Sequence, residues 1–386
     1  MKIAFIIDTI EPFYRGGYEH RAWALARRIA IKHETWVFTS CEVPTQIENI
    51  RFIPVGPASM SFNSAGYRRP SKAVLFTASL MRLLTSSYQF DIVDCNATPF
   101  IHVPAARALS RRWHAKFVLT AHEALRATID RYLKDRLATY GLPALGTRAI
   151  RRVYDRAMSC PDLIVSASNF AAEGFLMEGF SNVEAIVAGI ETVNSPKLDY
   201  QGRATFVGRL VATKRVDVLI RAFAEAARHN YVKQLTIVGS GPQRDELGRL
   251  AVGLGCANLI RFTGEIPDSQ RNQILEYETD VFVSASLREG ISIATLEAMS
   301  YGSPVLVCSD GQEVNGSLEY VLDGENGFVA DGSSEDLFTG FKRFAYLDRA
   351  LYNSFSVASL RSVEPYTWDS ASKELETLYY RLLAEA

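Results

Sequence analysis

Residues 280–302 read DVFVSASLREGISIATLEAMSYG, and their pattern indicates an α/β fold. Asp280–Val283 is a short, mostly apolar run that predicts a buried parallel strand, and the turn at Gly290 opens a predicted helix. A strand, a glycine turn and a helix N-terminus in this order present backbone N–H groups to an anion. Glu289 and Glu297 stand eight positions apart in this stretch. Because carboxylates repel phosphate but accept hydrogen bonds from hydroxyls, the pair predicts a ligand that is part phosphate and part polyol.

The composition is that of a two-domain globular protein. The chain has 386 residues, of which 48% are hydrophobic and 22% are charged, and this length exceeds what one core usually holds. The net charge is −1, yet residues 1–192 hold 23 Lys and Arg against 17 Asp and Glu, so the remainder is acidic. This asymmetry is consistent with an anionic partner for the first half and equally with ordinary differences between helix surfaces.

The cysteines and the apolar runs predict a cytoplasmic protein. Five cysteines are scattered, without a Cys-x-x-Cys pair or a His/Cys cluster, which favours a reducing compartment and argues against a disulfide framework or a zinc site. The first residues, MKIAFIIDT, predict a β-strand rather than a signal peptide. No run approaches the length of about 18 apolar residues that a membrane-spanning helix needs.

Short apolar runs alternate with helical patterns along the whole chain, and this alternation predicts parallel sheets. We therefore expect two Rossmann-like, doubly wound α/β domains, 1–192 and 197–365, joined by the polar hinge Gly189–Gly202. The predicted strands are Ile3–Ile7, Thr35–Phe38, Ile50–Val55, Ile92–Val93, Phe117–Leu119, Leu163–Val165, Ala204–Val207, Gln234–Val238, Ile260–Phe262, Val281–Ser284 and Pro304–Val307. The predicted helices include Tyr18–Ile31, Arg215–Ala227, Gln243–Gly253, Ile293–Ser300 and an amphipathic C-terminal helix, Trp368–Leu383.

Open α/β sheets bind ligands at the carboxyl ends of their strands, and polar or glycine-rich segments follow several predicted strands. Gly16-Gly17 opens a helix and lets the backbone approach a phosphate closely. Arg209 and Lys214, at the start of another helix, could clamp a pyrophosphate. His122 and the turn Gly239–Pro242 follow two further strands. Each feature alone also has a plain structural explanation, as an ordinary turn, a structural histidine or solvated loop charges.

Several other activities lack their sequence signature. Gly239 and Gly241 begin a dinucleotide-like pattern, but Arg244 replaces the third glycine and no acid follows on the next strand, so nicotinamide chemistry is not expected. The chain lacks a Gly-rich Lys-Ser/Thr loop, a His-Glu-x-x-His motif and a Gly-x-Ser-x-Gly motif. It also lacks a basic stripe interleaved with aromatic residues, which argues against nucleic acid as a partner.

Six segments in the same order make the chain resemble the retaining GT-B glycosyltransferases of family four (glycosyl transferases group one). The resemblance covers nearly the whole chain and is strongest from Phe206 to Val329. It implies an N-terminal acceptor-side domain, completed by a C-terminal helix at 366–386, and a C-terminal nucleotide-sugar-binding domain, which face a central cleft. Besides the Glu289/Glu297 segment, the matching segments are GGYE at 16–19, VGRLVATKRVDVLIRAF at 207–223, IVGSGP at 237–242, FTGEIP at 262–267 and EYVLDGENGFV at 319–329.

The resemblance implies transfer of a hexose-type sugar, with retention of configuration, from a nucleotide-sugar donor to a glycan or lipid-linked acceptor. It implies no metal and no cofactor, because Arg209 and Lys214 would stabilise the charge of the leaving diphosphate. Glu289 would hold hydroxyls of the transferred sugar, and His122 would lie beneath the reacting carbon. The other implied donor contacts are Gly17 for the phosphate, Gly241 for the nucleoside, backbone N–H groups of Gly290, Ile291 and Ser292 for the sugar, and Glu297 for the ribose hydroxyls.

Alternatives on the same residues remain open. A nucleotide-sugar-binding regulator without catalysis, a sugar-nucleotide epimerase or a phosphorylase would use the same fold. Ile291-Ser292 stands where family members often carry an aromatic residue and a glycine, so the sequence does not name the sugar. Basic residues of the first domain are consistent with a polyprenyl-linked acceptor and with peripheral contact at the inner face of an anionic membrane. They are equally consistent with ordinary solvated helix faces. These residues are Arg68, Arg69, Lys72, Arg82, Arg111, Arg112, Arg148, Arg151, Arg152 and Arg156.

Overall fold

A computed structural model gives the fold. It describes residues 1–14, 16–42, 44–56, 70–98, 100–122, 145–191, 194, 196–311 and 315–385, with the side chains of 70 and 145–150 left out. The described residues form two compact units. The first runs from Met1 to Ala188 and takes up the chain again at Trp368, and the second runs from Gly189 to Thr367.

Within its described residues, the first unit holds one eight-stranded sheet of order β3-β4-β2-β1-β5-β6-β7-β8. The short β3 pairs with β4 in the antiparallel direction, and every other pair is parallel. Strand β5 is buried at every position, as expected for a parallel strand covered on both faces. The strands are β1 (Lys2–Ile6), β2 (Glu34–Thr39), β3 (Gln46–Ile47), β4 (Ile50–Pro54), β5 (Ile92–Asn96), β6 (Lys116–Ala121), β7 (Leu163–Ser166) and β8 (Val183–Ala185).

Helices flank this sheet, and the last helix of the chain returns to it. The helices are α1 (Gly17–Ile29), α2 (Pro70–Arg82), α3 (Val103–Arg112), α4 (Leu145–Met158), α5 (Asn169–Met177) and α12 (Trp368–Ala384). Arg28 of α1 donates to Asp369 of α12 at 2.6 Å, and His33 lies 2.9 Å from Glu376. Trp368 and Tyr379 are fully buried. Helix α12 therefore belongs to the core of the first unit although it lies at the other end of the sequence.

The second unit holds a parallel sheet of order β11-β10-β9-β12-β13-β14 among its described residues. Phe206, Leu219, Phe223 and Phe341 are among the residues of its main core. The strands are β9 (Arg203–Val207), β10 (Gln234–Val238), β11 (Ile260–Gly264), β12 (Val281–Ser284), β13 (Val305–Cys308) and β14 (Gly327–Ala330). The helices are α6 (Val216–Arg228), α7 (Arg244–Gly253), α8 (Asp268–Tyr277), α9 (Ile293–Ser300), α10 (Ser334–Ala345) and α11 (Arg349–Val363).

The prediction of two parallel-sheet α/β domains is confirmed, and each predicted strand is present with bounds that differ by a few residues. Sequence reasoning missed three short strands, β3, β8 and β14. Strand β14 begins at Gly327, where an added Cβ would lie 2.3 Å from the carbonyl oxygen of Val305, so the strand approaches β13 too closely for a side chain. The five cysteines are free thiols. Among the described residues, no helix is both long and apolar enough to cross a membrane.

Candidate functional site

Most of the predicted site residues lie at one edge of the second sheet. Strand β9 lies between β10 and β12, and the three strands are parallel, so their carboxyl ends share an edge. The loop after β9 carries Arg209 and Lys214, and the loop after β10 carries Gly241. The loop after β12 carries Glu289, Gly290, Ile291 and Ser292. Strand order thus brings together residues that lie up to 83 positions apart, from Arg209 to Ser292.

Lys214 and Glu289 form an ion pair in which the ammonium donates to Oε1 of the carboxylate. The Lys214 side chain is 29% exposed and that of Glu289 is 12% exposed, so water screens this pair less than a surface pair. Lys214 ends a 3₁₀ turn, Ala212–Lys214, and the next residue, Arg215, has a left-handed backbone with φ of 51°. The Arg215 guanidinium donates to the carbonyl of Gly332 at 2.8 Å, which anchors the turn.

The turn between β12 and α9 exposes backbone donors. The N–H groups of Gly290, Ile291 and Ser292 donate to no acceptor in the described part of the chain. Ser292 caps α9, since its hydroxyl accepts from the Thr295 N–H at 3.3 Å and from the Thr295 hydroxyl at 2.7 Å. A helix N-terminus carries partial positive charge, so this turn is suited to oxygen atoms of an anion or a hydroxyl.

Glu297 lies on α9 and is paired with a residue that sequence reasoning missed. Nη2 of Arg271, on α8, donates to Oε1 of Glu297 at 2.9 Å, and the two side chains are 20% and 15% exposed. One guanidinium nitrogen thus fixes one carboxylate oxygen. No motif marks Arg271, because the contact depends on how α8 packs beside α9.

The glycine turn after β10 packs directly on the loop that carries Arg209. The Leu210 N–H donates to the carbonyl of Ser240 at 2.8 Å. Added Cβ atoms at Gly239 and Gly241 would lie 2.0 Å from the Gly208 oxygen and 2.4 Å from the Leu210 oxygen. Both glycines are therefore required for the contact of the two loops, which is a structural reason beside the predicted nucleoside role. Arg209 itself is exposed.

The first unit holds the two other predicted residues, Gly17 and His122. Gly17 is the exposed first residue of α1. An added Cβ at its neighbour Gly16 would lie 2.3 Å from Oε2 of Glu19, so a larger residue at 16 would displace that carboxylate. His122 follows β6, is 4% exposed, and stacks on Tyr18 with ring centroids 4.0 Å apart. Tyr18 and Gly17 both belong to the first turn of α1, so His122 lies beside that turn.

A buried polar cluster lies near His122, and no sequence motif predicted it. Asp94 accepts from the Tyr379 hydroxyl at 2.6 Å and from the Thr120 hydroxyl at 2.7 Å. Burial raises the pKa of the Asp94 carboxyl and lowers the pKa of Arg21 to about 10. Both residues line a cavity of about 20 Å³ that also reaches His122, and this volume is about that of one water molecule.

Two family patterns match the chain in sequence. The pattern described as Glycosyltransferase Family 4 matches residues 15–193, and the pattern described as Glycosyl transferases group 1 matches residues 191–356. Together they cover both units.

Individual proteins resemble the chain in sequence and in structure. A GDP-mannose-dependent alpha-(1-6)-phosphatidylinositol monomannoside mannosyltransferase of Mycolicibacterium smegmatis is 39% identical to this chain. The match covers 34% of this chain and 35% of that relative. This chain is 26% identical over 82% of both chains to a D-inositol 3-phosphate glycosyltransferase of Frankia alni. The solved structure of Anabaena Alr3699/HepE in complex with UDP-glucose is similar with a TM-score of 0.74, at 18% identity, over 98% of this chain and 100% of that one. Three curated relatives match over 43%, 35% and 41% of their own length, which is less than half.

Proposed function

Because the chain belongs to the GT-B glycosyltransferases of family four, we propose that it transfers a hexose-type sugar from a nucleotide-sugar donor to a glycan or lipid-linked acceptor. In this proposal the sugar keeps its anomeric configuration and the reaction needs no metal. The observation that carries this proposal is the ion pair of Lys214 and Glu289 beside the N–H groups of Gly290–Ser292, which have no acceptor among the residues that the structure describes. A cation, a carboxylate and backbone amide donors at one sheet edge match the phosphate and hydroxyl groups of such a donor.

The proposed roles follow from the chemistry of each group. The ammonium of Lys214 and the guanidinium of Arg209 stabilise the negative charge that develops on the leaving diphosphate. Glu289 accepts hydrogen bonds from hydroxyls of the transferred sugar, and Glu297, oriented by Arg271, accepts them from the ribose. These carboxylates position the donor, so neither is required as a nucleophile.

The proposed reaction is a front-face displacement. The bond from the anomeric carbon to the diphosphate oxygen breaks, and a bond from the same carbon to the acceptor oxygen forms on the same face of the sugar. The departing diphosphate takes the bonding electron pair, and one of its oxygens takes the acceptor's proton. The residues of this chain supply charge stabilisation and alignment. The assignments of Gly17 and His122 stay predictions that their own variants test.

The donor and acceptor classes come from the similar proteins. The Mycolicibacterium relative is named as GDP-mannose-dependent and as acting on a phosphatidylinositol monomannoside, and Anabaena HepE was solved with UDP-glucose. We therefore include UDP- and GDP-hexoses, with ADP-glucose, as candidate donors. Lipid-linked and free glycans are the candidate acceptors.

The direct test is release of free nucleoside diphosphate from a panel of UDP-, GDP- and ADP-sugars, with water or added glycans as acceptors. We expect release from one donor class, and loss of that release in Glu289→Ala when the variant is assayed below its thermal midpoint, as folded protein. Binding of a nucleotide sugar without any release would favour the non-catalytic regulator. Neither binding nor release across the panel would refute the proposed function.

A lipid-linked acceptor has a separate test. Helix α2 exposes Val74, Leu75 and Met81 beside Lys72 and Arg82, a combination of apolar and basic residues suited to an anionic membrane surface. Arg68 and Arg69 lie outside the described residues, as does the side chain of Arg148. We expect stronger co-sedimentation with phosphatidylglycerol-containing vesicles than with neutral vesicles. Equal co-sedimentation with both would refute the membrane contact.

A further inference from the structure

The segment Asn315–Tyr320, which follows β13, holds the turn between β12 and α9 in place. Asn315 is 2% exposed, and its side chain joins three backbone groups. Its amide nitrogen donates to the carbonyls of Cys308 at 2.8 Å and Ser286 at 3.2 Å. Its amide oxygen accepts from the Ser317 N–H at 3.0 Å. The Asn315 side chain therefore ties the ends of two neighbouring strands to the segment.

Gly316 contacts the first peptide group of the turn. Its N–H donates to the carbonyl of Glu289 at 2.9 Å. An added Cβ at Gly316 would lie 2.1 Å from the carbonyl oxygen of Gly290. Such a distance does not occur between real atoms, so any larger residue at 316 must displace the turn.

Tyr320 contacts the other end of the turn. Its hydroxyl donates to the carbonyl of Ser292 at 3.0 Å, and its side chain is 2% exposed. Burial raises the pKa of this hydroxyl, so it stays protonated and remains a donor at neutral pH. The turn is thus held at Glu289 by Gly316, and at Ser292 by Tyr320 together with the N–H groups of Thr295 and Leu296, which donate to the same carbonyl at 3.1 Å.

The hydrogen bond from Gly316 also orients a backbone donor of the turn. A peptide unit is planar and trans, so its N–H points away from its C=O. When Gly316 fixes the carbonyl of Glu289, it also fixes the direction of the Gly290 N–H. The carbonyl of Ser292 shares its peptide plane with the Ile293 N–H, so Tyr320 fixes the end of the turn where α9 begins.

We propose that Asn315, Gly316 and Tyr320 are positioning residues that aim the backbone donors of Gly290–Ser292 at the sugar of the bound nucleotide sugar. This inference rests on the proposed function and adds a recognition element to it. These residues touch neither the donor nor the reacting atoms. They act through the turn, so their loss should impair recognition of the sugar while the nucleotide still binds.

The test uses Tyr320→Phe, which removes one hydroxyl and keeps the ring. Tyr352→Phe is the matched control, because Tyr352 is fully buried in the same unit and donates to the carbonyl of Asp280 at 2.8 Å, at the opposite end of β12. Loss of one hydrogen bond of about 0.5–1.5 kcal/mol predicts a fall of about 2- to 13-fold in kcat/KM for donor cleavage. The readouts are the thermal midpoint, kcat and KM for donor cleavage, and the Kd of free nucleoside diphosphate.

We expect both variants to lower the thermal midpoint similarly, and only Tyr320→Phe to lower kcat/KM, with the Kd of free UDP or GDP unchanged. Gly316→Ala, compared as folded protein by its circular dichroism, should impair cleavage more than Tyr320→Phe. If Tyr320→Phe matches Tyr352→Phe in every readout, the positioning role is refuted while the proposed function stands. If the wild type neither binds nor cleaves any nucleotide sugar, the proposed function is refuted and this inference with it.

Discussion

Lys214 donates its ammonium hydrogen to Oε1 of Glu289, a residue 75 positions further along the chain. The two side chains come from the loops after β9 and β12, which are adjacent strands. In the proposed donor complex, the phosphate would share the ammonium and a sugar hydroxyl would share the carboxylate. The ion pair therefore holds both groups at the edge of the sheet before the donor binds.

Breaking this pair should show energetic coupling. Lys214→Met and Glu289→Gln should each lower stability, because each leaves a partly buried charge without its partner. The double variant should cost less than the two single variants added together. Urea midpoints of the four proteins measure this coupling. Additive losses would show that the pair contributes nothing to stability.

Arg209→Ala should remove activity without unfolding the protein. Arg209 is exposed, so its loss should leave the thermal midpoint nearly unchanged. Loss of one group that stabilises charge in a transition state typically costs about 100- to 1,000-fold in kcat. Arg221→Ala is the control, since Arg221 is an exposed arginine on α6 of the same unit. Unchanged donor cleavage in Arg209→Ala would refute the diphosphate assignment.

Arg271→Ala should weaken nucleotide binding. The guanidinium holds one oxygen of Glu297 at 2.9 Å, and without it the carboxylate can rotate away from the ribose. Loss of about 1 kcal/mol predicts a Kd for free nucleoside diphosphate that is raised about five-fold. Arg261→Ala serves as the control, because it breaks an exposed ion pair with Glu278 in the same unit. Equal affinities in the two variants would contradict the role of Arg271.

Lys197 should make stability depend on pH in the alkaline range. Its ammonium donates to the carbonyls of Leu275 at 2.8 Å, Glu276 at 2.9 Å and Thr279, and burial lowers its pKa to about 8 from the ordinary value of 10.5. Between these two pKa values the unfolded chain keeps this proton and the folded chain releases it. The free energy of unfolding therefore rises with pH across this range, and it falls as the pH drops through 8.

The comparison of wild type with Lys197→Met isolates this effect from other titrations. The advantage of the wild type in urea midpoint should be larger at pH 9.5 than at pH 7.5. A constant or shrinking advantage would show that the three carbonyl contacts keep the ammonium protonated and that its pKa is not lowered.

The fold class and the kinds of residue at the site can be predicted from local sequence patterns. Apolar runs such as Ile3–Ile7 and Val281–Ser284 are local signals, and parallel strands bury both faces, so periodicity alone located them. Arg209, Lys214 and Glu289 each follow a predicted strand, and this placement can also be seen in the local sequence. The order of these segments also sufficed for the family resemblance that the sequence matches bear out.

Which side chains contact each other depends on the packing of the folded chain. The hydrogen bond from Tyr379 to Asp94 joins residues 285 positions apart, and the pairs of Arg271 with Glu297 and of Gly316 with Glu289 depend on how neighbouring elements pack. These contacts leave no periodic pattern, since each side chain on its own is an ordinary polar residue. Their partners are set by strand order and helix packing, which minimise buried unpaired polar groups over the whole unit rather than within one segment.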